Sequence, residues 1–144
     1  MSDERLRVPL DEKYERELGR ALYVFATCEW NVAWCTERLQ PGYLGSIERQ
    51  KKTAGRIASD FAGVVQVATD PKTQTRLAAL AADFSNLVAD RNALFHAKPG
   101  TTSTGDQRLF RDSAPWGLHQ ISDFSDRVAA CSQALNQILH NELL

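Results

Sequence analysis

The run Arg91-Asn92-Ala93-Leu94-Phe95-His96 sets a guanidinium, an amide and an imidazole close together in the chain. A guanidinium offers forked donors that match phosphate oxygens. An imidazole titrates near neutrality, so it can take up or release a proton at physiological pH. Cleavage of RNA through the ribose 2′-hydroxyl needs those parts: a base, an acid, and positive charge on the developing phosphorane. Asn92 would hold the phosphate or orient His96. On a helix, Asn92 and His96 lie four apart and share a face, about 40° apart, whereas Arg91 and His96 diverge by roughly 140°. Lys98-Pro99-Gly100 ends the helix just beyond His96, which relaxes that angle and lets the groups converge at one mouth.

These residues need a scaffold, and hydrophobic periodicity supplies one. From Leu10 to Leu39, the residues Leu18, Leu22, Phe25, Glu29, Val32 and Leu39 recur on three- and four-residue steps, the face of a long helix. Pro41-Gly42 stops it. A second helix is expected over Ser46 to Ala68, capped by Ser46 and burying Ile47, Ala54, Ile57, Phe61, Val64 and Val65. Gly55 and Gly63 within it would mark close approach of a neighbouring helix. Asp70-Pro71 starts a third helix, with Asp as N-cap and Pro in the first turn. Leu77, Leu80, Phe84, Leu87, Arg91 and Leu94 form its stripe. Periodicity then vanishes from Lys98 to Pro115, where the Thr-rich stretch reads as a long loop, followed by a short extended run, Gln107 to Arg111. The last helix begins near Leu118 and buries Ile121, Phe124, Val128, Cys131, Leu135 and Ile138. The fold class is therefore all-α: an up-down four-helix bundle with a long irregular or short extended segment before the last helix. One domain over residues 1–144 is expected.

Glu29 and Arg91 each occupy a core position on their stripes. Buried ions are rarely left unpaired, so mutual pairing across the bundle is the simplest solution. Such a pair is either a structural device or the wall of a polar pocket.

Arg91-Asn92-Ala93-Leu94-Phe95-His96 resembles the R-x4–6-H signature of HEPN domains, including the polar residue that often follows the arginine. The resemblance is sharp only at Arg91, Asn92 and His96, and loose over the rest of the chain. It implies a helical bundle, usually dimeric, with the motif on a late helix. Many members are metal-independent ribonucleases, often toxins of toxin–antitoxin or phage-defence systems, and others are inactive. An acidic residue from an earlier helix often accompanies the motif, and Glu29 would fill that role.

Composition narrows the alternatives. The chain has 144 residues and a formal net charge of −1, so there is no global positive field to hold nucleic acid unselectively. An RNA-binding surface must be local. Arg49, Lys52 and Arg56 are spaced to share one face of the second helix, and Lys98, Arg108 and Arg111 flank the loop. Basic stripes are more often solvated faces than nucleic-acid sites. Cys28, Cys35 and Cys131 form no CxxC pair, and an odd count of free, mostly buried thiols suits a reducing cytoplasm. The charged start and the lack of a long apolar run predict no signal peptide and no membrane span. No zinc-ligand motif or phosphate loop occurs, so neither metal nor cofactor is expected. His119 and His140 read as bystanders.

Three functions remain in view. The first is a metal-independent endoribonuclease acting on RNA, with Arg91, Asn92, His96 and Glu29 as its site. The second is a catalytically silent module that binds an antitoxin, another protein partner or a nucleotide. The third is a plain helical bundle with a structural Glu29–Arg91 pair. Tyr23, Trp30 and Trp34 lie on a second face of the first helix, about 100° from its core stripe, and predict a homodimer.

Overall fold

The computed structural model describes residues 10–143. It is mostly helical, with one small sheet. In chain order the elements are α1 (Glu12–Leu39), α2 (Tyr43–Arg49), α3 (Ala54–Val64), a 3-10 turn (Val65–Val67) and α4 (Pro71–Phe95). Strands β1 (Lys98–Thr101), β2 (Gln107–Arg111) and β3 (Ala114–Trp116) follow, and then α5 (Leu118–Asn141). No helix of the described residues is long and apolar enough to cross a membrane.

Helix α1 starts where the Asp11 carboxylate accepts the Tyr14 amide at 2.8 Å, satisfying a donor that has no partner within the helix. It packs along α5 and also against α3 and α2, and reaches α4 through the Phe25 and Phe84 rings. The centre of the core is a trio of rings. Phe25 of α1 stacks on Phe84 of α4 at 5.8 Å and on Phe124 of α5 at 6.4 Å. Asn31 joins α1 to α5 by donating to the Ser132 hydroxyl and carbonyl at 2.9 and 3.2 Å.

The segment before α5 corrects the expected loop. It is a three-stranded antiparallel sheet in the order β1-β2-β3, and its central strand coincides with the extended run foreseen at Gln107–Arg111. Pro99 and Pro115 sit on the two outer strands, the places where a missing N–H is tolerated. Gly100 is required by close approach: a Cβ there would lie 2.9 Å from the Phe110 ring. Tyr14 ties this sheet to the helices. Its buried hydroxyl donates to the Trp116 carbonyl at 2.6 Å and accepts the Leu109 amide at 3.1 Å. Tyr14→Phe leaves both backbone groups unmatched and is expected to cost about 1–3 kcal/mol. Denaturant unfolding, with hydrogen exchange at the Leu109 amide, checks this. Unchanged protection at Leu109 would mean the hydroxyl is not the tie.

The expected second helix is two helices. Lys51 adopts a left-handed φ of 49°, which breaks the path between α2 and α3. Thr53, not Ser46, caps α3 by accepting the Arg56 amide, while Ser46 lies inside α2 and donates to the Tyr43 carbonyl. Gly63 faces open space and a Cβ at Gly55 would meet only the Thr53 hydroxyl at 3.9 Å, so neither marks a helix approach. On α1 the buried stripe runs through Ala21, Phe25, Cys28, Val32 and Cys35; Leu22 is mostly exposed, at the stripe's edge.

Candidate functional site

Helix α4 is defined at both ends by its sequence. Asp70 accepts the Thr73 amide at 2.9 Å, and Pro71 takes the first position. The helix closes at Phe95, and His96 is its C-cap, with its backbone N–H on the Asn92 carbonyl at 3.0 Å. The His96 ring is exposed, with no side-chain hydrogen bond or salt bridge among the described residues.

Arg91 is half-buried one turn before that end. Its guanidinium lies over the Phe25 ring (5.4 Å to the centroid) and the Phe95 ring (4.8 Å). One Nη donates to the Asn92 side-chain oxygen at 3.0 Å, while the buried Nε has no hydrogen-bond partner among the described residues. The expected Glu29–Arg91 ion pair does not form. Among the described residues neither side chain makes a salt bridge, and ring faces take the place of the carboxylate. Glu29 is half-buried, one helical turn beyond Phe25. Burial raises its pKa, and the Arg91 charge partly opposes that rise, so the two groups sense each other without touching.

Arg91 forms part of the wall of an apolar groove of about 240 Å³ between α1, α4, β2 and α5, shared with Leu18, Leu22, Phe25, Leu94, Phe95, Leu109 and Phe124. The motif gives Phe95 no role, although it stands one turn after Arg91. Phe25 and Leu109 carry no local signal that would link them to it. Nor does the motif reach Asp90, next to Arg91. Its carboxylate receives Arg111 of β2 at 3.4 Å and Arg127 of α5 at 3.0 Å, which fastens the sheet beside the helix end.

The remaining cations divide unevenly. Arg108 is bound to Asp11 at 2.8 Å and lies over the Tyr14 ring, so it holds structure. Arg111 is held by Asp90. Lys98 is exposed on β1, with no salt bridge among the described residues. Arg49, Lys52 and Arg56 do not share one helix, because the break at Lys51 separates them. They do border the same polar groove at the α2–α3 corner. There the Asp60 carboxylate accepts the Tyr43 hydroxyl at 2.8 Å, Lys52 at 3.0 Å and Arg56 at 2.9 Å, leaving Arg49 as the exposed cation without a salt bridge among the described residues.

That corner gives a pH prediction. Burial works against the Asp60 carboxylate, but hydrogen bonds from Arg56, Lys52 and Tyr43 outweigh it and hold its pKa below the ordinary value. A carboxylate depressed in the folded state adds stability above the unfolded pKa of about 3.9, and that stability is lost as pH falls through the folded value. Asp60→Asn is therefore expected to lower the melting temperature near neutrality, and the gap from wild type should close below about pH 4. Melts across that range check it; a gap independent of pH would refute the linkage.

The three cysteines are buried and free. The adjoining Cys131 thiol and burial push Cys28 far up, and burial pushes Cys35 up to about 12, so neither has the thiolate character of a nucleophile. Comparison with known protein families, curated proteins and solved structures returned no match.

Proposed function

We propose that this chain is a metal-independent endoribonuclease of the HEPN type, serving as a toxin or defence component, with its active site at the C-terminal end of α4. The observation that carries the reading is a guanidinium without a carboxylate partner among the described residues, bonded to Asn92, on the same helix end as an exposed imidazole. Arg91 would take the scissile phosphate and stabilise the phosphorane. His96 would move a proton, Asn92 would steady the phosphate, and Glu29 would act on Arg91 through its field. Of the six basic residues named from the sequence, Lys98 and Arg49 are the exposed ones without a salt bridge among the described residues, and they would meet the RNA backbone. The expected up-down order is not kept: Phe25 meets Phe124 and Asn31 meets Ser132, so α1 and α5 run parallel, while Arg76–Glu142 and Asp90–Arg127 set α4 antiparallel to α5. On this reading α1, α3, α4 and α5 are a HEPN-like bundle and the sheet is its insertion. The test is cleavage of mixed single-stranded and structured RNAs in EDTA, with the ends mapped. Cyclic 2′,3′-phosphate ends that disappear in His96→Ala support the assignment. Equal cleavage by that variant, or a requirement for added metal, defeats it.

A second reading has its own observation. Tyr23 and Trp30 of α1 are 76% and 55% exposed, and Trp34 meets Trp30 edge-on at 6.3 Å. Aromatics of this size on an open helix face are typical interface anchors. They fit a homodimer, and equally a silent module that docks an antitoxin or other protein. A dimer would also bring two His96 rings into one enzyme, as base and acid. Light scattering at micromolar concentration is expected to give twice the chain mass, and Trp30→Glu with Tyr23→Glu to give a monomer. A monomeric wild type would remove the dimer.

A further inference from the structure

The groove beside Arg91 differs from an ordinary surface dimple in one respect. Its walls are aliphatic and aromatic, yet one charged side chain forms part of them. Leu22, Leu94, Leu109, Phe95 and Phe124 supply the apolar surface. The Arg91 guanidinium is fixed against the two phenylalanine rings, and its solvent-shielded Nε has no hydrogen-bond partner among the described residues. A buried N–H of a charged group is costly to leave unmatched. Glu29 does not relieve it, since no salt bridge joins the two residues. A preorganised cation of this kind attracts an anion that brings its own apolar body. Arginine matches a planar carboxylate best, by two parallel charge-assisted hydrogen bonds.

Size limits the occupant. The groove holds about 240 Å³. A dry cavity of about 150 Å³ accepts benzene, and sites for drug-sized ligands start at about 300 Å³. The body that fits is a one- or two-ring aromatic or a short branched aliphatic group.

We propose that the groove is a binding site for a small amphiphilic carboxylate, with its apolar body against Leu22, Leu94 and Phe95 and its carboxylate on Arg91. The site depends on the groove and its cation alone. A failure of the ribonuclease assignment leaves it standing, and its own failure leaves that assignment untouched.

The test uses the full chain and 2-naphthoate, with 2-naphthamide as a neutral control of nearly the same shape. Titration is followed by amide and arginine Nε–H resonances. Naphthoate is expected to shift Leu22, Leu94 and the Arg91 Nε–H together, and naphthamide to bind about tenfold or more weakly for want of charge-assisted bonds. Two variants separate the parts of the site. Arg91→Gln keeps a polar side chain of similar reach and should erase the preference for acid over amide. Leu22→Asp, at a residue 55% exposed and so safe for folding, sets a like charge at the groove mouth and should weaken naphthoate more than naphthamide. Equal binding of acid and amide by wild type, shifts confined to another face, or no shift at millimolar ligand would each overturn the proposal. So would a preference for the acid that survives in Arg91→Gln.

Discussion

His96→Ala is expected to lower RNA cleavage about 10²–10⁴-fold, the range a positioned acid or base contributes. The residue suits such a test. Its ring is exposed and makes no side-chain bond among the described residues, so removal should leave the fold intact. Arg91→Ala should act on a different part of the reaction. It removes the forked cation that would meet the phosphorane, an effect of about 10²–10³-fold when one such donor is lost. Arg91→Lys keeps a charge but loses the fork and the stacking plane, so it should recover little. Glu29→Gln should cost far less than either, because Glu29 does not touch the guanidinium. Single-turnover cleavage in EDTA, with circular dichroism on each variant, makes the comparison. An Arg91→Lys enzyme as fast as wild type would contradict phosphate recognition by a fork. A His96→Ala enzyme at wild-type rate would end the acid–base role.

The largest expected effect on stability is that of Phe25→Ala, about 3–5 kcal/mol, the range for deleting a buried ring. Phe25 is 3% exposed and stacks on both Phe84 and Phe124, so its loss opens a cavity where three helices meet. It also takes away one of the two rings under Arg91. Against a total stability of about 5–15 kcal/mol this is a large fraction. Phe25→Leu fills much of the space and should be much milder. In urea, the alanine variant should lower the unfolding midpoint with little change in slope. A loss below about 1 kcal/mol would show that the helices close over the gap. The two variants also tie core to site: where Phe25→Ala still folds, the Arg91 side chain should be freed, and its Nε–H should exchange faster with water.

The features that can be read along the chain are those whose causes lie within a few residues. Asp70-Pro71 marks the start of α4 because a side-chain acceptor and a preset φ act on the next turn alone. The stripe on α5 from Ile121 to Ile138 is buried throughout, since period-3.6 patterning and one packed face are the same fact. The same locality placed Asn92 within reach of Arg91, its neighbour in sequence. Periodicity also misled. It carried a single helix through Lys51, where one left-handed residue turns the chain while the apolar spacing continues by coincidence.

Tertiary structure decided what depends on distant partners. The run Lys98-Pro99-Gly100-Thr101 has no strand pattern and becomes β1 only because β2 offers it a ladder and leaves Pro99 on an outer edge. Arg108 and Arg111 look free in the sequence, yet Asp11 and Asp90 claim them from other elements. The fate of Arg91 is the clearest case. Its place on the α4 stripe points it inward, and that much is periodicity. Glu29 and Phe25 stand one turn apart on α1, roughly 5 Å by helical rise, so only the tertiary fold decides which of them Arg91 meets. Ion pairing demands contact at hydrogen-bond distance, whereas a ring face accepts a guanidinium within about 6 Å of its centroid, and Arg91 lies 5.4 Å from that of Phe25.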